Sequence, residues 1–284
     1  MTTDTLAVAV PGQSAVLAAR VTLPDGQPSG VVVIWPALGV KADYYGVFCA
    51  ELTRKGFAVV CTDLRGQGAS GPRIDRSARH GYHELATRDW PAVLAAVRGK
   101  FGGIPCFTLG HSLGGQISLL HAAFAPVTID GVVLIAAGSV DYRGFSGLHG
   151  PKVLAGTHMT AVMGTVFGYW PGDVLGFAGR QSGVLMRDWA RVCRTGRFQP
   201  SGADIDYETL LAKLDLPVLA VSVEGDEMAP VTAVDRLCAK VPSVELTRHH
   251  YEADADVRLD HFRWVRHSGP IANRIRAWAD AYGG

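Results

Sequence analysis

The sequence predicts an α/β fold: a mostly parallel sheet of about eight strands, with helices on both faces and one inserted helical segment. Short apolar, β-branched runs alternate with longer helix-like segments up to residue 138, and the alternation resumes at 217. Residues 139–212 break that rhythm; they are rich in Gly, Trp, Tyr, Phe and Met and show no strand periodicity. A chain of 284 residues is long enough for one large α/β domain carrying such an insertion.

In chain order, residues 6–10 and 16–23 flank a Pro-Gly turn and predict an antiparallel hairpin at the sheet edge. Residues 31–35 are wholly apolar, as in a strand covered on both faces. Residues 43–55 predict a helix stopped by Gly56, and 57–62 the next strand. After a glycine-rich loop come a helix over 84–101, a strand over 105–109, a helix over 113–125 and a strand over 131–136. Beyond the insertion, 217–223 and 244–248 predict strands, and 231–239 and 271–282 predict helices. The core is thus expected over 1–138 and 213–284, with a cap, or lid, over 139–212.

Composition narrows the function. The formal net charge is +1, so nothing suggests nucleic acid or an anionic membrane as partner. The short basic run Arg258, Arg263, Arg266, His267 reads as a solvated face. The first eleven residues lack the basic-then-apolar pattern of a signal peptide. Five cysteines, an odd number without C-x-x-C spacing, support neither disulfides nor zinc, and Cys61 and Cys106 sit in strand-like runs. A reducing, cytoplasmic setting is expected. Residues 153–172 carry no formal charge, yet His158, three threonines, Gly156, Gly164, Gly168 and Pro171 make them part of a lid rather than a stable membrane anchor.

Chemistry enters at Gly110-His111-Ser112-Leu113-Gly114, a G-x-S-x-G motif. With 34 glycines in the chain, chance produces about 0.2 such matches, so the pattern alone is weak. Its context is not: it follows an apolar strand and opens a helix, where a sharp turn exposes the serine hydroxyl and helical amides favour negative charge. Together with Asp63-Leu64-Arg65-Gly66-Gln67-Gly68-Ala69-Ser70 and a late Asp and His, the motif resembles the α/β-hydrolase superfamily, in particular bacterial esterase, monoacylglycerol-lipase and serine-aminopeptidase-like members. The likeness covers residues 30–138 and 213–284.

That resemblance implies a serine hydrolase with Ser112 as nucleophile, followed in the chain by an acid and then a histidine. The family's acid turn, with aspartate four before a proline, maps onto Asp226 in Glu224-Gly225-Asp226-Glu227-Met228-Ala229-Pro230; Glu224, Glu227 and the more distant Asp141 are alternatives. The base maps onto His261, in the loop before the last helix and beside Phe262. His111 neighbours the nucleophile along the chain, so its side chain should point away, and His249 and His250 end a strand. The oxyanion hole needs two backbone donors. Leu113 is one; the other is Leu38 in Pro36-Ala37-Leu38-Gly39, placed by aligning on Tyr44-Tyr45, although the family's usual His-Gly is missing there.

Two decoys drop out. Gly66-Gln67-Gly68-Ala69-Ser70-Gly71 matches G-x-G-x-x-G, but Pro72 follows and no helix starts there to receive a pyrophosphate. His80-Gly81-Tyr82-His83-Glu84 is not H-E-x-x-H. No cofactor and no metal are expected. The expected substrate is a small-molecule ester with an apolar acyl or aryl group, received by Met159, Met163, Phe167, Tyr169, Trp170 and Phe177 of the cap. Thioester, amide or C–C bond hydrolysis, acyl transfer, or a non-catalytic ligand-binding role are the alternatives.

Overall fold

The computed structural model of the protein describes residues 2–254 and 256–282; Ala255, in the loop that precedes His261, lies outside them. Six strands precede the insertion: β1 (Thr2–Ala9), β2 (Val16–Leu23), β3 (Gly30–Trp35), β4 (Phe57–Thr62), β5 (Cys106–His111) and β6 (Gly131–Ile135). The insertion contributes a small antiparallel pair, β7 (Tyr169–Pro171) and β8 (Gly179–Ser182), and the sheet is completed by β9 (Val218–Val223) and β10 (Leu246–Tyr251). The main sheet runs β1-β2-β4-β3-β5-β6-β9-β10. Along that order β1–β2 and β2–β4 pair antiparallel, and every later neighbouring pair of the main sheet is parallel.

Strands β3, β4, β5, β6 and β9 are buried at every residue, because helices cover both faces. On one face, the helices Gly46–Arg54 and Gly269–Tyr282 pack over Val32, Ile34, Phe107 and Val133. On the other, Trp90–Lys100, Leu113–Phe124 and Val231–Cys238 pack over Val31, Val33, Val132 and Leu134.

Four elements depart from expectation. The expected strand over 244–248 forms later, as Leu246–Tyr251 in register with Val218–Val223, because Thr247, Arg248, His249 and His250 on this edge strand hide it from hydropathy. The helix expected over 43–55 opens with a 3₁₀ turn, Ala42–Tyr45. The helix expected over 84–101 begins at Tyr82 and passes through a π-turn, Leu85–Asp89, just before Pro91, which has no N–H to give the preceding turn. The β7–β8 pair is too short to leave a periodicity in the sequence.

The insertion also contains the helices His149–Val166 and Gly183–Thr195. Leu185, Val192 and Phe198 join the core cluster of the main sheet. Among the described residues, no helix is long and apolar enough to cross a membrane.

The π-turn turns Asp89 inward onto Arg65, whose Nε donates to Asp89 Oδ2 at 3.0 Å while Nη2 bonds the other oxygen. Both side chains are buried. Burial pushes the Asp89 carboxyl above its ordinary value, and Arg65 opposes that shift. Arg65→Met should therefore cost about 3–5 kcal/mol by stranding a buried carboxylate. With the folded-state carboxyl raised above its unfolded value, the loss grows as pH rises from about 4 toward 8. Urea denaturation across that range measures it.

Candidate active site

The chain order reverses around β3: β4 lies on one side of it and β5 on the other. A crevice opens at the carboxyl ends of strands that part in this way. Trp35 and Gly110 are paired at those ends, which sets the loop after β3 beside the turn after β5.

Ser112 occupies that turn with φ 53 and ψ −117, a backbone conformation unusual for a residue with a Cβ. Its neighbours over-determine it. The Ser112 amide donates to Ile135 O on β6 at 3.2 Å, and its carbonyl accepts from Gly115 N at 3.0 Å as the helix Leu113–Phe124 begins. The turn fits only because position 114 is glycine: a Cβ there would lie 2.2 Å from Trp35 O.

Two of the expected residues meet directly. His261 Nδ1 and Asp226 Oδ2 are 2.8 Å apart and both residues are buried. The other carboxylate oxygen, Oδ1, accepts from Met228 N at 2.9 Å and Ala229 N at 2.8 Å, so the acid is fixed by its own turn. Glu224 and Glu227, in the same turn, are exposed. Asp141 lies elsewhere in an ion-paired cluster with Arg143 and Arg236. Burial alone would raise its carboxyl, but bonds from Arg236 and Arg143 hold it below the ordinary value. His249 and His250 lie on the edge strand β10. The His261 ring stacks obliquely on His111, with centroids 4.8 Å apart, so the histidine stands at the end of β5 from which Ser112 projects.

Across the crevice, the Ala37 amide is taken by Tyr45 Oη at 3.0 Å. Among the described residues, no acceptor bonds the amides of Leu38 or Leu113. The loop is braced from the insertion as well: Gly39, at φ +75, lies so close to Ala178 that a Cβ would sit 2.2 Å from its carbonyl carbon. Gln67, in the glycine-rich decoy, reaches Arg180 O at 2.6 Å. The rest of that stretch is scaffolding too, with Asp63 accepting from Ala42 N at 2.7 Å and Ala69 N at 3.0 Å.

Two cavities share Met228. One, of about 670 Å³, is apolar and lined by Met159, Met163, Trp170, Phe177 and Trp189. Of the aromatic and methionine side chains expected there, Phe167 and Tyr169 are not in its lining. The other, of about 820 Å³, is polar and lined by Glu224, Glu227, Asp260, His261 and Arg263. Met228 was given no role by the sequence, and Tyr45 served there only to align the Leu38 loop; that a tyrosine hydroxyl needs a partner when buried was the available signal for its role here.

Residues 26–167, half of the chain, match the family model described as "Serine aminopeptidase, S33". The chain belongs to this family. Within reach of it, a monoglyceride lipase of Mus musculus is 30% identical over 271 residues, covering 90% of this chain and 84% of its own. A monoglyceride lipase of Rattus norvegicus is 26% identical over the same coverage. Among solved structures, a putative lipase from Acinetobacter baumannii superposes with a TM-score of 0.65 at 15% identity, covering 99% of this chain and 92% of its own. Est1E from Butyrivibrio proteoclasticus, solved with ferulic acid bound, superposes with a TM-score of 0.65 at 16% identity, covering 97% and 99%. The fold is that of the α/β hydrolases, and this member of the serine aminopeptidase family is a serine hydrolase.

Because Gly114 packs on the Trp35 carbonyl, Gly114→Ala should destabilise the protein by about 3 kcal/mol or more. A thermal melt beside wild type checks this.

Proposed function

We propose that the protein hydrolyses a carboxylic ester through an acyl-enzyme, with Ser112, His261 and Asp226 as its triad. The observation that carries the reading is the buried Asp226–His261 pair, 2.8 Å apart, at the strand end that bears the strained Ser112 turn. His261 takes the Ser112 proton as the oxygen attacks the carbonyl, then gives it to the departing alcohol. Asp226 holds the Nδ1–H tautomer and offsets the charge that His261 acquires. The amides of Leu38 and Leu113 bind the oxyanion. Water, deprotonated by His261, then releases the acid and restores Ser112.

Several features support an apolar acyl group. The 670 Å³ cavity is lined by Met159, Met163, Trp170 and Phe177, and it meets the polar cavity beside His261 at Met228. Residues 139–212 then act as a cap that selects the acyl chain. The named activities of the relatives, monoglyceride lipases, point to the same substrate class. Five buried free thiols favour a cytoplasmic setting.

Hydrolysis of a p-nitrophenyl ester series of increasing chain length, beside thioester and peptide substrates, tests this reading. Ester turnover should exceed the others and should vanish in Ser112→Ala; activity that survives that change sinks the assignment. Asp226→Asn should lower kcat by about 10³–10⁴. In the same series, Met163→Trp should move the optimum to shorter acyl chains by filling the apolar cavity, with kcat on short esters preserved.

A further inference from the structure

Two buried side chains that take no part in the mechanism above join the loop before Leu38 to the strand end before Ser112 and to His261. Tyr45 and His111 are both fully buried. Tyr45 Oη accepts from Ala37 N–H at 3.0 Å and lies 2.7 Å from His111 Nδ1. Tyr45 Oη is therefore bonded both to the backbone of the Leu38 loop and to the His111 ring. The ring is thus held from both sides, by the 2.7 Å contact of Nδ1 with Tyr45 and by the indole of Trp264, whose Nε1 lies 3.5 Å from Nε2. The backbone of His261 is a further hydrogen-bonding partner of the His111 ring. Burial, with the neighbouring His261 acting in the same sense, pushes the imidazole well below the usual histidine range, so it stays neutral.

We propose that Tyr45 and His111 are positioning residues, a buried relay that sets the Leu38 amide, the Ser112 turn and the His261 backbone in one geometry. The inference rests on the hydrolytic reading above. Ala37 immediately precedes Leu38, and His111 immediately precedes Ser112. Both ends of the relay thus act one residue away from a reacting group, through backbone rather than through substrate. Buried hydrogen bonds of this kind hold a site rigid only while every member is satisfied. Tyr45→Phe removes one oxygen and strands two groups at once, the Ala37 N–H and His111 Nδ1.

The test compares wild type, Tyr45→Phe, His111→Leu, His111→Asn and the Tyr45→Phe/His111→Leu double variant, all on a p-nitrophenyl ester. The relay predicts a kcat loss of about 10–100-fold in Tyr45→Phe with KM within about threefold, since a misplaced oxyanion donor acts on the transition state. Affinity for an alkyl trifluoromethyl ketone, whose serine adduct carries the oxyanion, should fall by the same factor. The double variant should lose no more than the worse single one, because the two act as one unit. In His111→Asn a side-chain oxygen takes the place of Nδ1, and this should restore most of the kcat lost in His111→Leu.

A lowered melting temperature with kcat and ketone affinity within twofold of wild type would reduce both residues to packing and overturn the proposal, as would additive losses. Should Tyr45→Phe fail to fold, His111→Leu against His111→Asn makes the same comparison, and equal kcat in the two overturns it. A wild type inactive on every ester, or active without Ser112, overturns the hydrolytic reading itself and the relay with it.

Discussion

The close approach of two strand ends is the constraint on which the site depends. Trp35 and Gly110 pair across β3 and β5, and the backbone at Gly114 lies against the Trp35 carbonyl. That contact leaves no room for a side chain at 114, and it sets the Ser112 turn beside the loop that carries Leu38. The strain at Ser112 is tolerated because its amide and carbonyl are both committed, to β6 and to the first turn of the helix. A sheet that ended differently at either strand would leave the serine in an ordinary turn.

Around this contact the molecule spends its buried polar groups on fixing loops. Asp226 satisfies two amides of its own turn before it meets His261, Asp63 ties two loops together, and Asp89 anchors Arg65. Each such carboxylate is costly to bury and is therefore surrounded by donors. The D-L-R-G-Q-G-A-S stretch is a scaffold of this kind: Gln67 links it to the insertion, which also braces the Leu38 loop at Gly39.

The insertion adds both shape and apolar surface. Its first long helix leaves Met159 and Val162 exposed while Met163 turns toward the cavity. A helix with apolar residues on more than one side has no sharp amphipathic pattern, which is why residues 149–166 show apolar composition without a clear face. Exposed apolar side chains at Val174, Leu175 and Phe177 continue the same character along the β7–β8 connection.

The alternation of strands and helices is legible in the chain alone, since strands buried on both faces must be apolar throughout. So is the turn at Ser112, since a strand, a G-x-S-x-G and a helix in succession leave little conformational choice. Asp226 and His261 followed from the sequence only through resemblance and chain order, with Glu224, Glu227 and Asp141 open beside them. Tertiary structure decided among these by burial and by partner: the two glutamates face solvent, Asp141 is held by two arginines, and Asp226 alone of them meets His261. The placement of β10, the π-turn at Leu85–Asp89 and the bonding of Tyr45 to His111 were likewise decided in three dimensions. Each depends on residues far apart in the chain, and local periodicity carries no record of what such residues will touch.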